Sequence, residues 1–361
     1  MPSNFIGLMD VSRITTGSSN TVDSKEIGEY PFFDRSQTIK RSDKYLFDSE
    51  AIIVPGEGSD FIPRYFKGKF DLHQRAYALF PKTNIDGKYL YYAILNSKNH
   101  FSQVATGSTV KSLRLKSFEL LKIPYVDVDI QIRISTILSS IDDKIAINKQ
   151  INANLLNSAR TIFAQMVDGS ELRNGVLSDI ANITMGQSPP GNSLSEDGKN
   201  TLFYQGRAEF GTIFPTPRLY TSEPKRIAEK GSVLMSVRAP VGDINLALDE
   251  CCIGRGLAAI VSNNNRQGFV HYLLDYLKPK LDVFNGDGTV FGSINKDALN
   301  NLDISIPNQI IIEKYNEYFE TIDMQIEQNH REIMNLATIR DYLLPKLMSG
   351  EIDVSQLDLA D

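Results

Sequence analysis

Apolar residues recur along two stretches of the chain at the three–four spacing of a single helix face. The first runs through Ile134, Ile137, Leu138, Ile141, Ile145, Asn148, Asn152, Leu155, Ile162, Phe163 and Met166. The second runs through Tyr315, Phe319, Ile322, Ile326, Asn329, Ile333, Leu336, Leu343 and Leu347. Neither meets a glycine or proline before Gly169 and Pro345. This predicts two helices of roughly 35–40 residues, each about 55 Å long at 1.5 Å per residue. Stripes this narrow fit a coiled-coil seam, and the simplest closed arrangement pairs the two helices antiparallel. Asn148 and Asn329 hold equivalent places in the stripe, where they either set the register or lie at its edge in water.

Ahead of each helical stretch the pattern breaks into short runs between turn residues. Ala51–Val54, Ala76–Phe80, Ser232–Met235 and Leu257–Val261 read as strands. Short helices are expected through Tyr89–Leu95 and Val270–Leu277. Each structured part closes at an Ile-Pro, Ile123-Pro124 and Ile306-Pro307, where proline limits the local geometry.

The order strands, short helix, long helix occurs twice, and so do specific residues. Asp10–Gly17 (DVSRITTG) matches Asp179–Gly186 (DIANITMG) at an offset of 169. Thr109, within Gly107–Val110, matches Thr289 at 180, and Ile141–Asn148 matches Ile322–Asn329 at 181. The drift places an insertion in the second copy. With 361 residues, the chain divides into two copies of about 180, too long for a solenoid unit. The expected fold is α/β (α+β): two globular domains joined and separated by two antiparallel coiled-coil helices, a pseudo-twofold repeat. The expected boundaries are 1–126, helix 127–172, 173–307, helix 308–350, and a tail 351–361.

Composition narrows the class. Apolar residues make up 42% and charged residues 23%, a globular balance that excludes wholesale disorder. No apolar run approaches the 18 or more residues of a membrane helix, and the first residues lack the pattern of a secretory signal. The only two cysteines, Cys251 and Cys252, are adjacent; the expectation is a buried pair in a cytoplasmic protein. The net charge of −6 argues mildly against a purely electrostatic nucleic-acid binder. Its distribution weakens that argument. Residues 1–125 carry 17 Lys/Arg against 13 Asp/Glu, whereas residues 308–361 carry 4 against 11.

No catalytic constellation emerges. Gly254–Ala259 (GRGLAA) has the form of a dinucleotide turn, but Ile260 and Val261 continue as strand where that turn must open a helix. Gly286-Asp-Gly288 resembles a calcium loop with Phe284 in a ligand position. His73, His100, His271 and His330 lack metal-ligand spacing. No P-loop or G-x-S-x-G elbow is present, so neither a metal nor a catalytic residue is expected.

Four segments carry a family resemblance that covers essentially the whole chain. Ile339–Val354 (IRDYLLPKLMSGEIDV) resembles the end of the second conserved helix in specificity (S) subunits of type I restriction-modification systems. Tyr30–Phe33 (YPFF) resembles part of their target recognition domains, as do Ser236–Asp243 (SVRAPVGD) and Cys252–Ala258 (CIGRGLA). The chain departs from many relatives in having few residues before Leu8. The resemblance implies a non-catalytic DNA reader. Each recognition domain reads half of a split, asymmetric target in double-stranded DNA, and the helices set the unread spacer. The helices also dock two methyltransferase (M) subunits, which restriction (R) subunits then join. S-adenosylmethionine, ATP and Mg belong to those partners, with no cofactor in this chain.

On that reading, base-edge contacts fall to Arg, Lys, Asn and Gln in loops. In the first domain these are Arg35, Gln37, Lys40 and Arg41, with a second basic stretch at Arg64, Lys67 and Lys69. In the second they are Gln187, Ser188, Gln205, Arg207, Arg238 and Arg255. Each is equally a solvated or structural residue, and Arg238 beside Val237 fits a buried arginine. Gly107–Thr109 and Gly288–Thr289 are expected to form a turn the fold requires, with backbone N–H groups available to phosphate. Tyr342, Leu344, Leu347 and Met348, beside Leu343, form an apolar patch suited either to an M subunit or to packing on the first helix. The rival from another class is a coiled-coil interaction scaffold without DNA readout.

Overall fold

The computed structural model describes residues 4–58, 60–107, 109–286 and 292–357. The recurrent Gly107–Thr109 turn is therefore described only in part. The Gly288–Thr289 turn lies outside the described residues, as does most of Gly286–Gly288. The chain forms two compact units, one of residues 1–147 and 332–361, the other of residues 148–331. Two 41-residue helices, Val128–Asp168 and Gln309–Ser349, are each shared between them.

Unit 1 is built on a six-stranded sheet in the order Ser12–Thr16, Ala76–Pro81, Phe47–Pro55, Arg64–Leu72, Tyr30–Phe33, Lys40–Ser42. All neighbours are antiparallel except Tyr30–Phe33 with Arg64–Leu72, which run parallel. Phe47–Pro55 ends in a fully buried run, Ala51–Pro55, as expected of a strand covered on both faces. The helix Gly87–Asn96 starts where Asp86 accepts a hydrogen bond from Tyr89 N at 2.7 Å. Ile134 and Leu138 pack with Leu344, Leu347 and Met348 in one buried cluster. Asp142 meets Arg340 at 2.9 Å and Lys144 meets Glu332 at 3.6 Å. Numbers rise along one segment as they fall along the other, so the helical segments of this unit are antiparallel.

Unit 2 repeats the plan with its sheet divided. Ala181–Met185, Leu257–Ser262, Val233–Ser236 and Ile244–Leu246 form one antiparallel sheet. In a second sheet Thr201–Tyr204 runs parallel to Cys251–Ile253. The short helix is Gln267–Tyr276. Leu156, Ala159, Phe163 and Met166 are buried with Phe319, Ile322 and Ile326. Asn329 Nδ2 donates to Asn152 Oδ1 at 2.8 Å, and Asn152 Nδ2 donates to the Ile326 carbonyl at 3.1 Å. These segments too are antiparallel, since Phe163 faces Phe319. Asn329 is 7% exposed and Asn148 2%, so neither lies at a wet edge.

One detail differs from the sequence expectation. Leu8 N donates to Leu121 O and Leu177 N to Leu302 O, both at 3.0 Å. Leu302 is therefore the counterpart of Leu121, and Ile123 corresponds to Ile304, two residues before Ile306-Pro307. The second Ile-Pro is a coincidence of composition. Pro345 lies within the second long helix, which runs to Ser349.

Candidate nucleic-acid interface

In unit 2 three glycine-rich turns converge on one edge. The Thr201–Tyr204 and Cys251–Ile253 strands end side by side, and Gly254 N donates to Tyr204 O at 2.8 Å. Gln187 N donates to Ile253 O at 2.9 Å. This approach requires a glycine before Gln187: a Cβ on Gly186 would lie 2.2 Å from the Gly254 carbonyl oxygen. Val237 N donates to Gly256 O at 2.9 Å, which brings Arg238 to the same edge. Ser188 Oγ lies 3.1 Å from Gln205 Oε1 and from Gln205 Nε2, and it accepts from Arg255 N at 3.3 Å.

All six candidates of this domain, Gln187, Ser188, Gln205, Arg207, Arg238 and Arg255, are thus gathered together. Ser188 is half-buried and the other five are exposed. Arg238 is not the buried arginine that its apolar neighbours suggested. Val237, beside it, is 3% exposed; Arg238 comes after the strand Val233–Ser236 has ended and stays exposed. Arg207 is tied to Asp243, which also takes Lys278 at 2.8 Å. Burial alone would raise the Asp243 carboxyl; Lys278 and Arg207 outweigh it and hold the group below its ordinary value.

Unit 1 repeats the edge. Phe33 and Leu72 end its parallel pair, His73 N donates to Phe33 O at 2.9 Å, and Ser19 N donates to Leu72 O at 3.3 Å. Gly17 stands where Gly186 stands, and a Cβ there would be 1.8 Å from the Leu72 carbonyl oxygen. Asp71, fully buried, accepts from Ser19 Oγ at 2.7 Å, Ser42 Oγ at 2.9 Å and Leu72 N at 2.9 Å. That network fixes the turn from behind.

The candidates of unit 1 do not all reach this edge. Arg35 does, exposed and paired with Glu57 at 2.9 Å. Lys40 is drawn onto the buried Asp34 at 2.8 Å. Arg41 donates to the carbonyls of Gly28 at 2.9 Å and Glu29 at 2.8 Å. Those two are braces, the structural alternative for a basic residue in a loop. Arg64, Lys67 and Lys69 lie on a strand, Arg64–Leu72, rather than in a loop. Period-two alternation therefore sends Arg64 to the face opposite Lys67 and Lys69. Arg64 donates to Ser36 O at 2.8 Å and to Gln37 Oε1 at 3.1 Å. Lys67 and Lys69 are exposed, and Lys69 lies 4.8 Å from the centre of the Tyr45 ring.

Sequence reading missed Glu57, Gln74 and Arg75. Arg75 pairs with Glu57 at 2.7 Å beside Arg35. The duplication points to them: Gly254–Gly256 at an offset of 181 is His73–Arg75.

The apolar patch on the second helix is mostly core. Leu344, Leu347 and Met348 are 6%, 3% and 1% exposed in unit 1, while Tyr342 is 61% exposed. Packing accounts for the first three, while Tyr342 stays exposed with Lys346 Nζ 4.8 Å from its ring centre. The cysteines lie buried on a strand, with burial pushing the Cys251 thiol up to about 12. Leu257–Ser262 is a strand, which removes the dinucleotide-turn reading of Gly254–Ala259. Among the described residues no group of three or more His, Cys, Asp or Glu could hold a metal ion. Nor is any helix among them long and apolar enough to cross a membrane.

A mixed helix-and-sheet module that occurs twice, with polar side chains gathered on the same turn-built edge each time, defines a duplicated recognition protein. The family model "Type I restriction modification DNA specificity domain" matches residues 4–157 and again 170–336. The chain belongs to this family. It is 34% identical over 302 residues to a Methanocaldococcus jannaschii protein assigned as the MjaX type I restriction enzyme specificity subunit, covering 76% of this chain and 70% of that one. The MjaIX specificity subunit of the same organism is 23% identical, covering 91% and 85%. The fold is similar to the crystal structure of the type I restriction-modification S subunit from M. genitalium, at TM-score 0.66 and 20% identity over 96% of each chain.

Proposed function

We propose that this chain is the sequence-specific DNA-recognition subunit of a type I restriction-modification complex. It carries no catalytic step of its own. Residues 1–126 and 173–307 each read one half of a split, asymmetric target. Residues 127–172 and 308–350 form an antiparallel coiled coil that sets the spacer and docks two methyltransferase subunits, and residues 351–361 are a C-terminal tail. Restriction subunits join through that complex. S-adenosylmethionine, ATP and Mg act in the partners, and a DNA-directed role places the protein in the cytoplasm.

The observation that carries the reading is the unit 2 edge. Gln187, Gln205, Arg238 and Arg255 present the amides and guanidiniums that match the major-groove edges of adenine and guanine. They project from backbone fixed by strand ends, and so from the rigid support that base readout needs. The net charge of −6 is compatible with this division of labour, because partner subunits can supply phosphate contacts while this chain supplies base contacts.

The test is methylation mapping in cells that carry this chain with its cognate methyltransferase subunit. The expected result is one modified sequence in two unlike halves around a fixed spacer. A symmetric or unsplit target contradicts it. The scaffold alternative predicts no added salt-dependent DNA binding when this chain joins the methyltransferase.

A further inference from the structure

The two units can be aligned by their own hydrogen bonds, without reference to any other protein. His73 N to Phe33 O in one corresponds to Gly254 N to Tyr204 O in the other. Gly56 N to Arg75 O, at 2.9 Å, corresponds to Val237 N to Gly256 O, also 2.9 Å. Leu113 N to Gly56 O, at 2.8 Å, corresponds to Ile294 N to Val237 O, at 3.0 Å. Position by position, Gln74 is the counterpart of Arg255, Arg75 of Gly256 and Glu57 of Arg238. The same backbone therefore carries an arginine at 238 in one unit and a glutamate at 57 in the other.

A carboxylate at a DNA-facing edge is repelled by phosphates and by guanine's two acceptor atoms unless it is neutralised. Glu57 is neutralised twice, by Arg35 at 2.9 Å and Arg75 at 2.7 Å. The Glu57 side chain is 14% exposed, against 56% for Arg35 and 57% for Arg75. The carboxylate sits inward and both guanidiniums stand outward. Each uses one Nη1 group on Glu57. Arginine has five N–H donors in a planar fork, so a second edge of each fork is left to face outward.

We propose that Arg75, with Arg35, reads bases for the first recognition domain, and that Glu57 is the positioning residue that aims both guanidiniums. This rests on the DNA-recognition reading above and deepens it, since it names the specificity-determining residues of one half-site. The class of base edge is the paired acceptor, O6 and N7 of guanine, which a guanidinium meets bidentately. Unit 2 places Arg238 at the position of Glu57 and Arg255 at that of Gln74, so the two units address their half-sites with different groups from one scaffold.

The experiment maps methylation of genomic DNA by the complex of this chain with its cognate methyltransferase subunit, for the wild type, Arg75→Ala, Arg75→Lys, Glu57→Gln and Arg255→Ala. Loss of one bidentate contact relaxes preference at its base pair roughly 10- to 100-fold. Arg75→Ala and Arg75→Lys should relax the same base pair, because lysine keeps the charge without the fork. Glu57→Gln should relax that half-site as well, and Arg255→Ala should relax the other half. Should Arg75→Ala not accumulate as folded protein, Arg75→Lys carries the test. Unchanged preference in the Arg75 and Glu57 variants overturns the inference, as does an Arg255→Ala effect in the same half as Arg75. A wild-type complex that modifies no split sequence sinks instead the DNA-recognition reading on which it stands.

Discussion

Asp71 shows how much of the first candidate edge depends on a residue that faces no solvent. It is fully buried, and three donors converge on it. Arg75 follows four residues later on the turn that Asp71 supports. Asp71→Ala strands two hydroxyls and the Leu72 N–H, which should cost about 3 kcal/mol. Asp71→Asn should cost about half as much, because serine hydroxyls can reverse to accept from the amide. Urea denaturation measures both, and equal losses would argue against a donor network. Asp243 makes the matching prediction for unit 2. Its carboxyl is held below the ordinary value by Lys278 and Arg207. Its contribution is therefore complete well above that value and is lost as pH falls through the folded-state pKa. The gap in melting temperature between wild type and Asp243→Asn should be full at neutral pH and close on acidification below about pH 4; a gap that stays constant contradicts it. At this scale the sequence was legible where glycines flag close backbone approach, as at Gln187, Gln205 and Arg255. It was not legible at Arg75, which sits in Leu72–Leu79 (LHQRAYAL) with no flanking glycine. Nor could composition separate Lys40 and Arg41, turned inward onto Asp34 and backbone carbonyls, from a free basic loop.

Among elements, the long helices were the most legible because three–four spacing over tens of residues fits no other structure. The strand Arg64–Leu72 was hidden: its outward positions alternate Tyr65, Lys67 and Lys69, and this reads as a basic loop when burial is unknown. Leu344, Leu347 and Met348 were ambiguous for a related reason, since an apolar helix face looks the same whether it meets its own chain or another. The stripe asparagines could be assigned only from contacts. Asn329 donates to Asn152, and Asn152 donates to the Ile326 carbonyl. Asn329→Leu alone leaves Asn152 Oδ1 buried without its donor and should cost about 1–3 kcal/mol. The double variant Asn152→Leu with Asn329→Leu should recover much of that loss, because both partners then leave together. A double-mutant cycle by chemical denaturation reads the coupling. Additive losses would show that the two amides do not act as a pair, and that register is set by the apolar positions alone.

For the whole molecule, the duplication has a consequence that neither copy has alone. Each 41-residue helix is about 60 Å long at 1.5 Å per residue, and each is shared between the units, which divide after Ile147 and after Arg331. If the helices set the spacer, lengthening both at those two junctions should change the distance between half-sites without touching either reading edge. Seven residues is the increment to use, because it preserves the seam's phase over two turns. It adds about 10.5 Å, close to three base pairs at 3.4 Å each. Inserting seven helix-forming residues after Ile147 and seven after Arg331 should therefore lengthen the unread spacer by about three base pairs and leave both half-sites as they were. Insertion in one helix alone breaks the pairing, and the chain should then lose stability instead of acquiring a new target. Methylation mapping with the cognate methyltransferase reads all three quantities at once. An unchanged spacer in the doubly lengthened chain would remove the helices from spacer selection. An altered half-site would mean that the helices also hold the reading edges in register, and that readout and spacing are not separable parts of this molecule.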